Sequence, residues 1–233
     1  MSIGQSLPKY VQISEMLIRD IAAGRLADGE RLAPERDMAK SLDISVGTLR
    51  KALADLESKG ALQRIHGSGN YIKAQAQMSS IYSFFRVELI AGGGLPTAKV
   101  LSIGTAEKPK DWINSSRDPN AHRIRRVRYL NGTPAVLEEI FLDAGVCRQP
   151  TTEDLSDALY VMYRRKFNIW IASAEDRLTL RDVPDWAPDE FRMAPHTQTI
   201  CVLRTSMDQN NRPVEFSYSW INTNVAQYVA RIK

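Results

Sequence analysis

Near residue 75 the apolar residues of this chain stop recurring at helical spacing and begin to alternate. Three- and four-residue spacing makes one-sided helices, and a period of two makes strands with one buried face. The change therefore splits the chain into a helical N-terminal part and a strand-rich remainder. A length of 233 residues suits two domains. The 43% hydrophobic and 25% charged residues are those of a soluble globular protein. No run approaches the roughly 20 apolar residues of a membrane helix, and Met1–Lys9 lacks a secretory pattern, so no membrane partner is expected. Cys147 and Cys201 stand far apart without Cys-x-x-Cys spacing. That argues against a disulfide scaffold or thiolate zinc site and fits a cytoplasmic location.

In the first part, Tyr10, Ile13, Leu17, Ile18 and Ile21 form one apolar stripe, which Gly24 terminates. Pro34 opens a short helix with Glu35 and Asp37 at its positive end and Met38, Ala39 and Leu42 facing inward. Ser45 is an N-cap for a third helix buried through Leu49, Ala52, Leu53 and Leu56. Strands at Leu62–Ile65 and Asn70–Lys73 flank the glycine-rich tip His66-Gly-Ser-Gly69. Three helices and a hairpin in about 65 residues make a winged helix-turn-helix. Arg50 and Lys51 lie off the apolar stripe of the third helix, where they face either DNA or plain solvent. Ser45, Gly47 and Thr48 at its start suit phosphate contact, and His66, Gly67 and Ser68 give the wing a second contact. Residues 1–75 hold 11 Lys/Arg and 9 Asp/Glu, a net +2 of the chain's +4. The reading depends on where the charges sit.

The second part reads as an α+β domain around a largely antiparallel sheet. Strands are expected at 122–130, 134–142, 169–180, 199–207 and 214–222, with a tight Asn131-Gly132 hairpin and another turn at Asn210–Pro213. Helices are expected at 110–115, 157–166 and 185–193. Arg126 and Arg128 share a strand face with Ile124 and Leu130, where two cations need an anion; the opposite parity would leave them in solvent. Glu138 shares its face with Val136, Ile140 and Leu142, and orients a ligand or pairs with an arginine. Phe216, Tyr218 and Trp220 form a face that suits a core, although Tyr218 could place its hydroxyl in a pocket.

Three motifs in order carry a resemblance: Leu32-Ala-Pro-Glu-Arg-Asp-Met-Ala39, Ile44-Ser-Val-Gly-Thr-Leu-Arg-Lys-Ala-Leu53 and Gly60-Ala-Leu-Gln-Arg-Ile-His-Gly-Ser-Gly-Asn-Tyr-Ile72. Over residues 8–73 the sequence resembles the GntR family of bacterial transcription regulators. The resemblance implies that Arg36 grips the DNA backbone, that Arg50 beside Thr48 reads bases, and that His66 and Gly67 form the wing-tip contact. Val46 stands where many members carry a basic residue. Further on, Arg126-Val-Arg-Tyr-Leu-Asn-Gly-Thr-Pro-Ala-Val-Leu-Glu138 and Asn211-Arg-Pro-Val-Glu-Phe-Ser217 look like the UTRA effector domain of the HutC subfamily, whose fold is that of chorismate lyase. This resemblance implies a small-molecule effector, a homodimer, and ligand contacts from Arg126 and Arg128. It also places Phe85 and Arg86 in a ligand-covering segment ahead of Gly92–Pro96, with Arg86 where the family has a small hydroxyl residue. Asn222 and Asn224 stand where the family has Arg and Asp, which makes Asn224 a candidate contact.

The expected architecture is a winged head over 1–73, a linker over 74–80 and a UTRA effector-binding and dimerisation domain over 81–233. The expected function is allosteric repression of an operator in double-stranded DNA, controlled by a carboxylate or phosphate metabolite near Arg86, Arg126 and Arg128. His66, His122 and His196 lack metal-ligand spacing, and no Walker loop, dinucleotide fingerprint or nucleophile elbow occurs, so no cofactor is expected. Two alternatives are a chorismate lyase-like enzyme and a DNA-binding protein whose second domain only dimerises.

Overall fold

A computed structural model describes residues 7–74, 80–112 and 118–231. The chain forms two compact units, one built on Leu7–Phe85 and the other on Arg86–Val229.

The first unit packs α1 (Lys9–Ala22), α2 (Glu35–Ser41) and α3 (Val46–Ser58) with a hairpin of β1 (Leu62–Ile65) and β2 (Gly69–Ile72). Ile13, Leu17, Ile18 and Ile21 of α1 meet Leu49, Ala52, Leu53 and Leu56 of α3, all nearly inaccessible. Full burial of each large side chain contributes about 1.5–3 kcal/mol, which is what holds three short helices together. The Ser45 hydroxyl accepts from the Thr48 amide at 3.1 Å, capping α3 as its sequence predicts. Of the expected linker, residues 75–79 lie outside the described residues. Ser80 to Phe85 belong to the first unit: the buried Glu15 carboxylate accepts from the Ser80 hydroxyl at 2.8 Å and the Ile81 amide at 3.0 Å.

The second unit holds β3 (Val87–Leu89), β4 (Pro96–Glu107), β5 (Asn120–Leu130), β6 (Thr133–Asp143), α4 (Leu159–Phe167), β7 (Ile171–Asp182), β8 (Gln198–Asp208), β9 (Pro213–Ile221) and β10 (Ala226–Tyr228). Six strands form one antiparallel sheet in the order β4-β5-β6-β9-β8-β7, and β10 pairs with β3 apart from it. Asn131 and Gly132 both have positive φ, as the two-residue turn between β5 and β6 requires. Gly94 has φ +114, and a Cβ there would stand 2.8 Å from that of Leu130, so no larger residue fits.

One helix expectation changes. The 185–193 segment forms only a 3₁₀ turn, Asp189–Phe191, because Pro184 and Pro188 interrupt backbone donation and Phe191 is pinned in the core. Half of the 110–115 segment, residues 113–115, lies outside the described residues. The 157–166 helix is observed as α4, begun two residues later. β4 was not anticipated: its burial pattern repeats every three residues as often as every two, because a bulge between Val100 and Ser102 shifts its register.

Candidate DNA interface and effector site

In the first unit, Arg36, Ser45, Gly47, Arg50, Lys51, His66 and Gly67 are exposed, while Thr48 and Ser68 are half-buried. Arg36 lies in the first turn of α2. Ser45, Gly47 and Thr48 surround the start of α3, and Arg50 and Lys51 follow one turn on. The wing turn is held by Gly67 at φ +72 and by a 2.7 Å hydrogen bond between the hydroxyls of Ser68 and Tyr71. Between the wing and the start of α2 lies an open cleft of about 530 Å³, lined by Arg31, Glu35, Arg64, His66 and Asn70 among others.

Arg50 is not a free cation. Its Nε donates to Glu35 Oε2 at 2.6 Å, and its carbonyl accepts from Arg64 Nη2 at 3.2 Å. Arg50 and the side chain of Asn70 hold the Glu35 carboxyl below its ordinary range. Glu35 thereby ties the second helix to the recognition helix and to the wing.

In the second unit, strand register sorts the sheet into two unlike faces. Arg126 stands opposite Glu138, Glu138 opposite Ser219, Ser219 opposite Val202, and Arg204 opposite both Ser217 and Asp176. The face they share is buried and polar. The Arg126 and Arg128 guanidiniums both donate to the Glu138 carboxylate, the second at 3.1 Å, and Arg128 Nη1 reaches the Asp157 carbonyl at 3.3 Å. Burial works to raise the Glu138 pKa, but the two cations outweigh it and hold it at about 2. Two guanidiniums share the one Glu138 carboxylate, and buried Arg126 Nη1 has no hydrogen-bond partner among the described residues. Across β9, Glu215 accepts from the Tyr163 hydroxyl at 2.6 Å and from those of Tyr160 and Ser206 at 3.0 Å each, so α4 lies over this face. Burial raises the Glu215 pKa despite these donors. Farther along, Arg204 forms a two-bond pair with Asp176, both at 2.6 Å, and the Tyr228 hydroxyl donates to Asp176 at 2.8 Å. Between the triad and Glu215, β9 presents the small Ser217 and Ser219, with Ile140 of β6 opposite Ser217.

The opposite face is aromatic. Phe216, Tyr218 and Trp220 pack there with Trp112, Phe191, Phe141 and Leu137. Tyr218 is thus on the far side of the sheet from Arg126, because strand neighbours two apart share a face and residue 218 opposes Glu139 rather than Glu138. Its hydroxyl donates to Asp111 at 2.7 Å.

Other expected ligand contacts are scattered. Arg86 is exposed; its charge acts on Tyr228, whose phenol burial and Asp176 push up to about 12, rather than on the triad. Asn224 is exposed in the turn after β9, while its neighbour Asn222 is buried and donates to the Phe191 carbonyl at 3.0 Å. Phe85 belongs to the first unit, its ring 5.0 Å from the Arg19 guanidinium. Glu215, Tyr160, Tyr163, Ser206 and Arg204 were missed. The signal for Glu215 was present: Glu215, Ser217 and Ser219 alternate with Phe216, Tyr218 and Trp220.

A winged helix-turn-helix with its recognition helix exposed, together with a separate sheet domain holding a buried charged face, defines a ligand-controlled DNA-binding regulator. The chain belongs to the bacterial regulatory proteins of the gntR family: residues 9–72 match that family and residues 92–226 match the UTRA domain. It is a transcriptional regulator with a GntR DNA-binding domain and a UTRA ligand-binding domain. It is 51% identical to the HTH-type transcriptional regulator SmoD of Agrobacterium fabrum, over 99% of this chain and 98% of that protein. It is 24% identical to the HTH-type transcriptional repressor NagR of Bacillus subtilis, over 91% and 90% of the two chains. Among solved structures, the regulator YydK of Bacillus subtilis is similar in fold, with a TM-score of 0.55 and 19% identity, over 97% of this chain and 100% of that one. The ligand-binding domain of a GntR-family regulator from Bordetella bronchiseptica covers 64% of this chain and 96% of its own, with a TM-score of 0.56 and 21% identity. No described helix is long and apolar enough to cross a membrane.

Proposed function

We propose that this regulator is a homodimeric repressor of the HutC type, which binds a pseudo-palindromic operator through two winged heads and answers to an anionic, hydroxyl-bearing metabolite on the polar face of its sheet. The observation that carries the effector reading is the buried Arg126–Glu138–Arg128 triad with the unpartnered Arg126 Nη1. A buried guanidinium N–H that lacks an acceptor is costly, and an entering carboxylate or phosphate supplies one. Ser217, Ser219 and the Glu215 cluster offer hydrogen bonds to hydroxyls on the same molecule. The effector shifts the DNA-binding equilibrium by its differential affinity for the two states, a coupling of about 1–3 kcal/mol.

At the DNA, Arg50 reads a guanine edge, a contact worth about 1–3 kcal/mol of discrimination, and Arg36 neutralises a phosphate. Ser45, Gly47, Thr48 and Lys51 line the recognition helix, and His66, Gly67 and Ser68 present the wing.

Mobility shifts on an operator fragment, with a panel of sugar phosphates, carboxylates and inorganic phosphate, test the effector reading. One class of anion should change operator affinity about 5- to 150-fold, and Ser219→Leu, which sets a bulky apolar side chain opposite Glu138, should abolish that change while leaving operator binding intact. Equal operator affinity with every anion refutes it.

A further inference from the structure

The two edges of the six-stranded sheet are not alike. An unpaired edge strand is a template for pairing with another chain unless bulges, charges or cover blunt it. β4 is blunted: a bulge at mid-strand breaks its register between Val100 and Ser102, and Lys99 stands beside the break. β7 is not. Its irregularity falls at its very start, between Ile171 and Ser173, so the strand runs unbroken to Asp182. Among the described residues no strand pairs with its outer side. It exposes Leu178 at 51% and Leu180 at 63%, two of the five large apolar side chains that are exposed in the described chain.

The charges along this edge choose the occupant. A two-fold axis normal to the sheet makes two copies of β7 antiparallel and places one residue opposite its own copy. With Glu175, Asp176, Arg177 or Arg181 on the axis, a charge faces itself. With Thr179 there, Arg177 faces Arg181 and Asp176 faces Asp182. With Leu180 there, no charges pair. With Leu178 on the axis, Glu175 faces Arg181 twice, the two Leu178 side chains meet, and both Leu180 side chains lie alongside. Like charges directly opposite destabilise an antiparallel pair, and opposite charges or apolar pairs stabilise it. The present partners of these charges, Arg177 for Glu175 and Asp111 for Arg181, are themselves exposed and exchange at little cost.

We propose that β7 pairs with β7 of a second copy of this chain about a two-fold axis through Leu178, joining two six-stranded sheets into one of twelve strands. This rests on the homodimer reading and names the surface that makes it. Because both copies use the same patch, the interface closes and no further chains can add along the sheet there.

The full-length protein carrying Cys147→Ser tests it, with Cys201 left buried. Leu178→Cys should then form a disulfide-linked dimer under mild oxidation. Thr179→Cys alone should not, since residues diagonal across the pair lie beyond disulfide reach. Leu178→Lys should weaken dimerisation at least tenfold by sedimentation velocity, with tryptophan fluorescence reporting an intact fold. A dimeric parent that Leu178→Lys leaves unchanged, without a Leu178→Cys cross-link, overturns the surface while sparing the dimer. A parent that is monomeric at tens of micromolar overturns both. A cross-link through Thr179→Cys in place of Leu178→Cys overturns the register.

Discussion

Glu138→Gln tests the triad most directly, because the substitution keeps shape and removes the one anion that two buried arginines share. Truncating one partner of a buried ion pair costs about 3–5 kcal/mol, since the remaining charge is left uncompensated. The pKa leads to a similar figure. Lowering the carboxyl from its ordinary 4.5 to about 2 corresponds, at 1.36 kcal/mol per unit, to about 3 kcal/mol. That stabilisation is complete above the unfolded pKa near 4.5, and it is lost as pH falls through the folded value near 2. Glu138→Gln should therefore be about 3–5 kcal/mol less stable than the parent at pH 7, and the difference should shrink below pH 4. All four tryptophans, Trp112, Trp170, Trp186 and Trp220, lie in the second unit, so their fluorescence in urea follows this domain without interference from the head. Phosphate at tens of millimolar should restore part of the loss in the variant and far less in the parent, because the two guanidiniums, deprived of their shared anion, then attract an external one. A loss below 1 kcal/mol at pH 7, or equal phosphate effects on variant and parent, refutes the account of the triad as two buried cations that depend on one shared carboxylate.

Other outcomes follow from single contacts. Glu35→Ala frees Arg50 from its 2.6 Å partner and removes a negative charge near the DNA backbone. Binding to scrambled DNA should strengthen while operator discrimination falls about tenfold in mobility shifts; unchanged discrimination sinks the positioning role. Arg50→Ala should flatten that discrimination, whereas Arg36→Ala should weaken both DNAs alike and lower the salt slope by about one. Ser45→Ala removes the α3 cap and should cost about 1 kcal/mol of head stability, measured by amide hydrogen exchange in α3. Glu215→Gln should behave unlike Glu138→Gln. The raised Glu215 pKa stabilises the fold below pH 4.5, and the benefit fades as pH rises through the folded value, so at pH 7 the variant should lose much less.

The head was legible almost residue by residue, because helix stripes, the Ser45 cap and the glycine turn are local signals that tertiary packing did not override. Sequence could not show that Arg50 is held by Glu35, fifteen positions away. In the sheet domain, alternation located five strands and put Arg126, Arg128 and Glu138 on common faces. It left open whether Glu138 met the arginines, and only the β5–β6 register answers that. Tyr218 stayed open between core and pocket for a related reason: an aromatic with a polar tip suits both, and parity relative to another strand cannot be read before the pairing is known. β4 escaped because its bulge erases the period of two.

The division of β9 into odd polar and even aromatic positions has an evolutionary consequence. With the effector on the polar face as proposed, point changes at 217 and 219 would alter its contacts without disturbing the core that 216, 218 and 220 build. A single inserted or deleted residue in the same strand would exchange the two sets. On that proposal, the ligand contacts of β9 can change by substitution but not by a change of length.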